Sequence, residues 1–398
     1  MIAERYTDYM YNLIDKVMKE IGPREACSDE EKRLGRLFAD EIRPACERVE
    51  TESFTCSPTA FMGFFPYLVL MYLAGVVCYF FLPAVSAALA LVAGTIFLLE
   101  VVRYKEFIDP IYPKRQGENV AGFVSPRSEV ARRVIVSAHL DSAYEWKIVY
   151  WFKSFSVVIT GIALISLILL FGFGLARTIA EPVGMPKATV FLVFGIILAA
   201  LSPIVAIFAF WHTKDVVPGA MDNMAGISVV AGLAKYLKDA PERGEFYPEG
   251  TEVVLLGCSS EEAGLRGAKR YVARHLEECR ALPTYAIFLD CLYDEDYFTV
   301  FKKEMYMGVK LDPGLVDLTL KAAGENDFKI KPGVIPFGAT DGSAFAQAGI
   351  TTVSMFMLDM SRMPPNYHTR HDTIEYIKPR SLAVALQTVI DMVRHLDK

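Results

Sequence analysis

From Ser53 to Leu99 the chain runs for 47 positions without an Asp, Glu, Lys or Arg, a tract too long and too apolar for the surface of a soluble domain. It is long enough for two helices of about 20 residues each. Leu82-Pro83 sits where a turn between them belongs, which places the helices over 60–80 and 84–103. A second pair follows. Ser154–Ala176 lacks those charges for 23 residues and Ala188–Trp211 for 24, and a polar connection with Arg177, Glu181, Pro182 and Lys187 separates them. Four transmembrane helices in two hairpins are therefore expected. Buried helices of a soluble core usually run shorter and keep a polar face. Pro66 and Pro203 can kink a span without excluding it. Hydrophobic residues make up 53% of the chain, above the soluble average of roughly 45–50%.

The insertions, taken as 57–103 and 148–212, leave three pieces, 1–56, 104–147 and 213–398. An even number of spans puts all three on one side of the membrane, and together they match the upper size of a single core. One discontinuous domain is expected. Arg103, Lys105, Lys147, Lys153 and Lys214 flank the spans on that side, against Arg177 and Lys187 on the other, so the domain is expected to face the cytoplasm. The densely charged residues 1–52 do not read as a secretory signal. A net charge of −6 argues against nucleic acid as a partner. Seven cysteines without a CxxC pair fit neither a disulfide framework nor a zinc ribbon and point to reducing surroundings.

With the hairpins set aside, an α/β pattern emerges. Arg133–Ala138, Glu252–Gly257, Tyr285–Leu289 and Ile350–Met357 read as short buried strands. Ile227, Val230, Leu233 and Leu237 mark one amphipathic helix, and Leu382, Leu386, Val389, Val393 and Leu396 another. The fold class expected is a three-layer α/β/α domain with a mixed, mostly parallel sheet. Ligands of such sheets bind at the carboxyl ends of the strands. There the sequence places His139-x-Asp141, Glu261-Glu262, Asp290 and, at the end of a loop, Tyr367-His368, while Asp222-Asn223 lies at a helix start. Singly, each has an ordinary explanation: a helix-capping turn for Asp222-Asn223, a solvated first helical turn for the glutamates. Their convergence on one sheet edge is what counts, because imidazole plus carboxylate is a ligand set for zinc or a similar ion.

The ordered motifs His139-x-Asp141, Asp222-Asn223-x-x-Gly226, Glu261-Glu262-x-Gly264-Leu265-x-Gly267, Asp290 and Tyr367-His368-Thr369, with Ile21-Gly-Pro-Arg24 ahead of a charged helix, resemble the di-zinc aminopeptidase family that also holds glutamate carboxypeptidase and the glutaminyl cyclases. The resemblance implies two divalent ions, most simply zinc. His139 and Asp290 would serve one and Glu262 and His368 the other, with Asp222 bridging. It implies Glu261 as general base, Asp141 as the group that holds His139, and Tyr367 as a hydrogen-bond donor to the tetrahedral intermediate. Two departures stand out: Asp290 is followed by Cys-Leu-Tyr, and Thr340-Asp341-Gly342-Ser343 lacks the histidine usual in that segment.

Two divalent ions against three carboxylates leave a net positive charge, which favours a bridging hydroxide with a pKa near ~7. Glu261 and Glu262 are adjacent and their side chains diverge, so Glu261 is free to carry the proton to the leaving amine. The expected function is a membrane-anchored binuclear exopeptidase, aminopeptidase-like, acting on short peptides, with membrane lipid as a partner and a homo-oligomer left open. The alternatives are a glutaminyl-cyclase-like acyl transferase and a non-catalytic scaffold or transporter. Both hairpins are expected to leave from the catalytic edge, on the premise that the strands near Val49–Phe54 and Asn119–Val124 lie beside the 133–138 strand. The four helices would then form one bundle above the metals.

Overall fold

The computed structural model describes residues 1–180, 188–211 and 214–398. Glu181, Pro182 and Lys187 of the expected polar connection, and residues 212 and 213 at the end of the second hairpin, lie outside the described residues.

The strands in chain order are β1 (Arg48–Cys56), β2 (Arg115–Val124), β3 (Arg132–His139), β4 (Thr251–Cys258), β5 (Thr284–Leu292), β6 (Phe298–Glu304), β7 (Val309–Lys310), β8 (Lys331–Ile335) and β9 (Thr351–Met357). The helices are α1 (Thr7–Glu20), α2 (Asp29–Ile42), α3 (Phe65–Phe81), α4 (Pro83–Phe97), α5 (Lys147–Phe152), α6 (Ser156–Ala180), α7 (Ala188–Ala206), α8 (Ala225–Arg243), α9 (Arg266–Ala281), α10 (Pro313–Gly324), α11 (Asp341–Gln347) and α12 (Pro379–Leu396). All nine strands join one sheet in the order β1-β2-β4-β3-β5-β9-β6-β7, with β8 beside β6. The centre, β4-β3-β5-β9, is parallel and buried apart from Arg132, Arg133, Tyr285 and Thr351 near the strand starts, as its near-continuous Val, Ile, Leu and Phe predict. β1, β2, β6 and β7 join antiparallel, and β8 pairs parallel with β6.

Helices cover both faces. On one, α1, α2, α8 and α12 pack through Met10, Phe38, Ile227, Leu233, Leu386 and their neighbours. On the other, α9 and α11 pack through Tyr271, Val272 and Phe345. Helix α2 shows how local sequence sets an element. Ser28 caps it by accepting from the Glu31 amide at 3.1 Å, Asp29-Glu30-Glu31 suit its positive end, and Leu34, Phe38 and Ile42 bury one stripe. This is the three-layer α/β/α architecture expected. The sequence reading missed β6, β7 and β8, which lack a clean apolar run. It also misplaced one neighbour: β2 pairs with β4 rather than with β3. The crossover after β3 returns its strand on the outer side, so β4 takes the place beside β2.

That correction leaves the edge argument intact. Because β2 runs antiparallel to β4, its Arg115 end and the Cys56 end of β1 lie at the carboxyl edge of the parallel strands. Both apolar hairpins therefore open from the edge where His139 sits. Pro83–Val102 (20 residues), Lys147–Ala180 (34 residues) and Thr189–Phe210 (22 residues) are long and apolar enough to cross a membrane, whereas Phe65–Phe81 is shorter at 17 residues. The four pack as one bundle, α3 on α4 and α7, α6 on α4 and α7. Small and polar groups face inward: Gly75 meets Leu170, Gly174 meets Ala87, Gly195 meets Tyr79 and Phe80, and the Tyr72 hydroxyl donates to the Leu198 carbonyl at 3.2 Å. Leu70, Val77, Phe81, Ile168, Ile179 and Ile196 face outward and exposed. The bundle thus packs small residues at its helix contacts, with Leu170 and Leu198 also buried, and turns other large apolar side chains outward, a pattern compatible with membrane helices.

His275 of α9 lies 2.6 Å from Glu52 of β1, and that hydrogen bond, opposed by burial, raises the imidazole pKa. A raised histidine pKa stabilises the fold fully below about pH 6.5, and the contribution is lost as the pH rises through the folded value. The difference in melting temperature between the unsubstituted protein and His275→Gln is expected to be largest near about pH 6 and to shrink steadily in more alkaline buffer; a constant or growing difference would contradict this.

Candidate metal centre

The carboxyl edge assembles the site from five separate segments. β3 ends in His139, the turn before α8 carries Asp222, the turn after β4 carries Glu261 and Glu262, β5 carries Asp290, and the irregular segment after β9 carries His368. All six are buried or nearly so. Asp222 lies at the middle. One of its oxygens, Oδ1, is 3.0 Å from His139 Nε2, and the other, Oδ2, is 3.0 Å from His368 Nε2. Asp290 Oδ1 is 3.8 Å from the same nitrogen of His139, and Glu262 Oε1 is 3.2 Å from that of His368. The five expected ligand positions thus meet, split into two groups about Asp222. Cys291, which the sequence reading did not single out as a donor, brings its thiol to Asp222 and Asp290 as well.

The donor set fits a divalent cation. Carboxylates only accept hydrogen bonds, and a neutral imidazole offers one proton. His139 Nε2, Glu262 Oε1 and Asp290 Oδ1 are buried without a hydrogen-bond partner. Leaving such groups unpaired in the interior is costly, and a cation satisfies all of them together. With the protein groups alone, burial pushes Glu261 well up, Glu262 up to about 7 and Asp290 up. Asp222 is held below the usual carboxylate range, because the two imidazoles outweigh its burial. Both imidazoles are raised in spite of burial, His139 by its carboxylate neighbours and His368 to about 10 mainly by Glu262 and Asp222.

Around these groups the backbone is tightly specified. The Asp141 carboxylate accepts from the Glu261 and Glu262 amides, at 3.0 Å each, and so sets the turn that carries both glutamates. The His139 ring is held mainly by the Asp141 backbone carbonyl, 3.1 Å from Nδ1, with the carboxylate at 3.4 Å. The expected role of Asp141 is therefore shared between its backbone and its side chain. The glutamate turn closes on Gly267, whose amide donates to the Ser259 carbonyl at 2.9 Å; a Cβ there would lie 2.1 Å from that oxygen. Asn119 and Glu31 brace the same turn through the amides of Ser259 and Ser260. Tyr367 stacks on the His368 ring at 4.0 Å.

Two supports, Asp372 and Glu304, were not singled out from the sequence, and Asp341 and Arg24 were noted there without a role. Asp372 accepts from the amides of Met221 and Asp222, at 2.7 and 3.1 Å, which orients the central carboxylate. Its only signal was its place four residues after His368. Glu304, on the unpredicted β6, gathers the Thr340 amide and hydroxyl and the Ser343 hydroxyl, and so anchors the segment that lacks the expected histidine. Asp341 is buried beside His139 with both oxygens unpaired. Arg24, noted only as part of an opening motif, is fully buried and donates to the carbonyls of Gly22, Leu140, Pro218 and Gly219. It thereby ties the chain after His139 to the chain before Asp222.

Sheet order, edge position and donor set together define an α/β domain with a candidate metal centre at the carboxyl edge of its parallel strands. Residues 199–393 match the model of peptidase family M28. Aminopeptidase YwaD of Bacillus subtilis (strain 168) is 28% identical over 188 residues, 46% of this chain and 38% of that protein, so the chain spans well under two thirds of the curated relative it matches. Among solved structures, an aminopeptidase from Aneurinibacillus sp. strain AM-1 superposes with a TM-score of 0.58 at 14% identity, covering 99% of this chain and 95% of that one. BSAP, a zinc aminopeptidase from Bacillus subtilis, gives 0.57 at 15%, covering 98% and 95%. A Bacteroides thetaiotaomicron glutaminyl cyclase gives 0.57 at 14%, covering 97% of each chain. At these identities the structures speak for the fold alone.

Removing the Arg24 side chain strands four interior carbonyls. Arg24→Met is expected to cost on the order of 3 kcal/mol in unfolding free energy, measurable by denaturant titration of the membrane-reconstituted protein; an unchanged midpoint would show that the clamp carries no load.

Proposed function

We propose that the chain is a membrane-anchored, binuclear zinc exopeptidase, aminopeptidase-like in its reaction, that hydrolyses peptide bonds of short peptides. The observation that carries this reading is Asp222, with one oxygen toward His139 and Asp290 and the other toward His368 and Glu262. On this reading His139, Asp222 and Asp290 would hold one ion and His368, Asp222 and Glu262 the other. Bound there, divalent metal supplies Lewis acidity, polarising the scissile carbonyl and making water a stronger acid.

The remaining steps belong to the protein's own groups. Glu261 stands outside the ligand set, its turn fixed by Asp141, and its carboxylate takes the proton of the attacking water and passes it to the leaving amine nitrogen. Tyr367, stacked on His368, offers its phenol hydrogen to the oxygen that gains negative charge at the attacked carbon. Asp141 and Asp372 keep the glutamate turn and Asp222 in register as charge redistributes.

The membrane part of the reading rests on the bundle. The pieces 1–56, 104–147 and 213–398 act as one catalytic domain on the cytoplasmic side, and the two hairpins hold its catalytic edge against lipid. Trp146 lies between His368, at 4.3 Å, and Trp211 of the bundle, at 5.0 Å, so the site adjoins the helices directly. Substrates are then short peptides or chain ends presented at the bilayer surface, since a folded protein could not approach.

A panel of aminoacyl amides and amino-blocked peptides tests the activity on protein purified in detergent. Hydrolysis that needs a free amino terminus, disappears on chelation and returns with zinc is the expected result; ring closure of amino-terminal glutamine without hydrolysis would favour the cyclase alternative. Glu261→Gln is expected to keep its metal content while losing about 10²–10⁴-fold in turnover, and a wild-type rate would sink the assignment of the base. In sealed vesicles, residues 1–50 and 380–398 should share one side in a protease-protection assay; termini on opposite sides would overturn the even span count.

A further inference from the structure

The segment that carries His368 has no regular structure of its own. Between β9 and the turn at Ile374–Tyr376 the chain runs through residues 358–373 without helix or strand, and His368 sits at φ +51°. A left-handed backbone at a non-glycine residue costs of order 1 kcal/mol and persists only where its surroundings impose it. Two groups of contacts do so here. Asp372 ties the end of the segment to the turn before α8 through the amides of Met221 and Asp222. The other contacts come from the base of the second apolar hairpin.

That base is a short antiparallel ladder. Tyr144 bridges Val216, the Val217 amide donates to the Ala143 carbonyl at 2.9 Å, and the Glu145 amide donates to the Asp215 carbonyl at 2.8 Å. It closes the neck of the insertion and aims two side chains at the His368 segment. Glu145, almost fully buried, accepts from Arg370 three times: from the amide at 3.1 Å, from Nε at 2.7 Å and from Nη2 at 2.8 Å. Lys147 also bonds Glu145. The Trp146 amide donates to the His368 carbonyl at 2.8 Å, and its ring meets the His368 ring edge to face at 4.3 Å and the Tyr367 ring at 5.6 Å. On its far side Trp146 packs on Trp211, which stacks in turn on Phe65 and Phe208 at 5.6 Å each, within the bundle. One continuous set of rings thus runs from the imidazole to the membrane helices.

We propose that Glu145 and Trp146 are positioning residues for His368, so that metal binding at this corner of the site depends on the second hairpin being packed in its bundle. The inference rests on the reading of His368 as a ligand. Neither residue is close enough in role to touch substrate; each acts by fixing the ring and backbone of its neighbour. Groups that orient a metal-binding histidine typically matter about 10–100-fold in metal affinity. Trp211 touches no expected ligand, yet it should act in the same direction through Trp146.

The test uses the full chain in nanodiscs, with zinc affinity measured by chelator competition and the melting temperature of the metal-free protein as a second readout. Trp146→Ala and Glu145→Gln are expected to weaken zinc binding about 10–100-fold while the metal-free melting temperature stays at its wild-type value. Trp146→Phe should recover most of the loss, and Trp211→Ala should show a smaller one. His368→Ala is the control for the ligand reading. If it lowers zinc affinity and Trp146→Ala and Glu145→Gln do not, the ligand reading stands and the positioning proposal falls. If His368→Ala leaves zinc binding intact, both fall together. A parallel drop in metal-free melting temperature for Trp146→Ala and Glu145→Gln would make their role structural only and would likewise overturn the proposal.

Discussion

A single carboxylate, Asp222, sits 3.0 Å from each of two imidazoles, with two more carboxylates close behind them. So many buried acceptors around one point are costly to leave without a cation, and the rest of the domain is organised to hold them there. The parallel strands deliver His139, the glutamate turn and Asp290 to one edge. Asp372 and Arg24 fix the turn that carries Asp222, one by accepting its amides and the other by gripping the carbonyls beside it. Asp141 spends both carboxylate oxygens on the amides of Glu261 and Glu262, so the first and third site segments move as one.

The same edge is where the chain leaves for the apolar bundle. The first hairpin departs from the end of β1 and returns to the start of β2, and the second departs shortly after His139 and returns shortly before Asp222. Neither insertion interrupts a strand or a helix of the sheet layers, which is why the α/β architecture tolerates them. The second has the stronger consequence. Its neck lies between two segments of the site, and its aromatic residues pack against a third. Within the bundle Gly75, Gly174, Gly195 and the Tyr72 hydroxyl lie inside beside buried Leu170 and Leu198, while other large apolar side chains such as Leu70, Ile168 and Ile196 face out, unlike the domain surface.

Much of this was legible in the sequence because it rests on local signals. Charge-free tracts mark the four helices, short apolar runs mark the central strands, and acidic or imidazole residues at their ends mark the edge that carries chemistry. Each of those features is a property of neighbouring residues, and the pairing of His139 with Asp290 and of His368 with Glu262 followed from resemblance. Strands β6, β7 and β8 escaped because Lys302, Lys303, Lys310 and Lys331 break any apolar period, and the order of β3 and β4 escaped because a crossover can return its strand to either side.

What the sequence by itself determined, then, is which residues are apolar, which can bind a cation, and roughly which element each belongs to, since hydrophobic periodicity and side-chain chemistry are written along the chain. Only the tertiary structure decided that Arg24 would grip four carbonyls from three segments, that Asp372 would accept from the Met221 and Asp222 amides of the turn carrying the central carboxylate, and that Trp146 would join His368 to the bundle. These residues look ordinary in sequence because their partners lie far away along the chain, and hydrogen bonds between distant segments exist only once the sheet has fixed both ends.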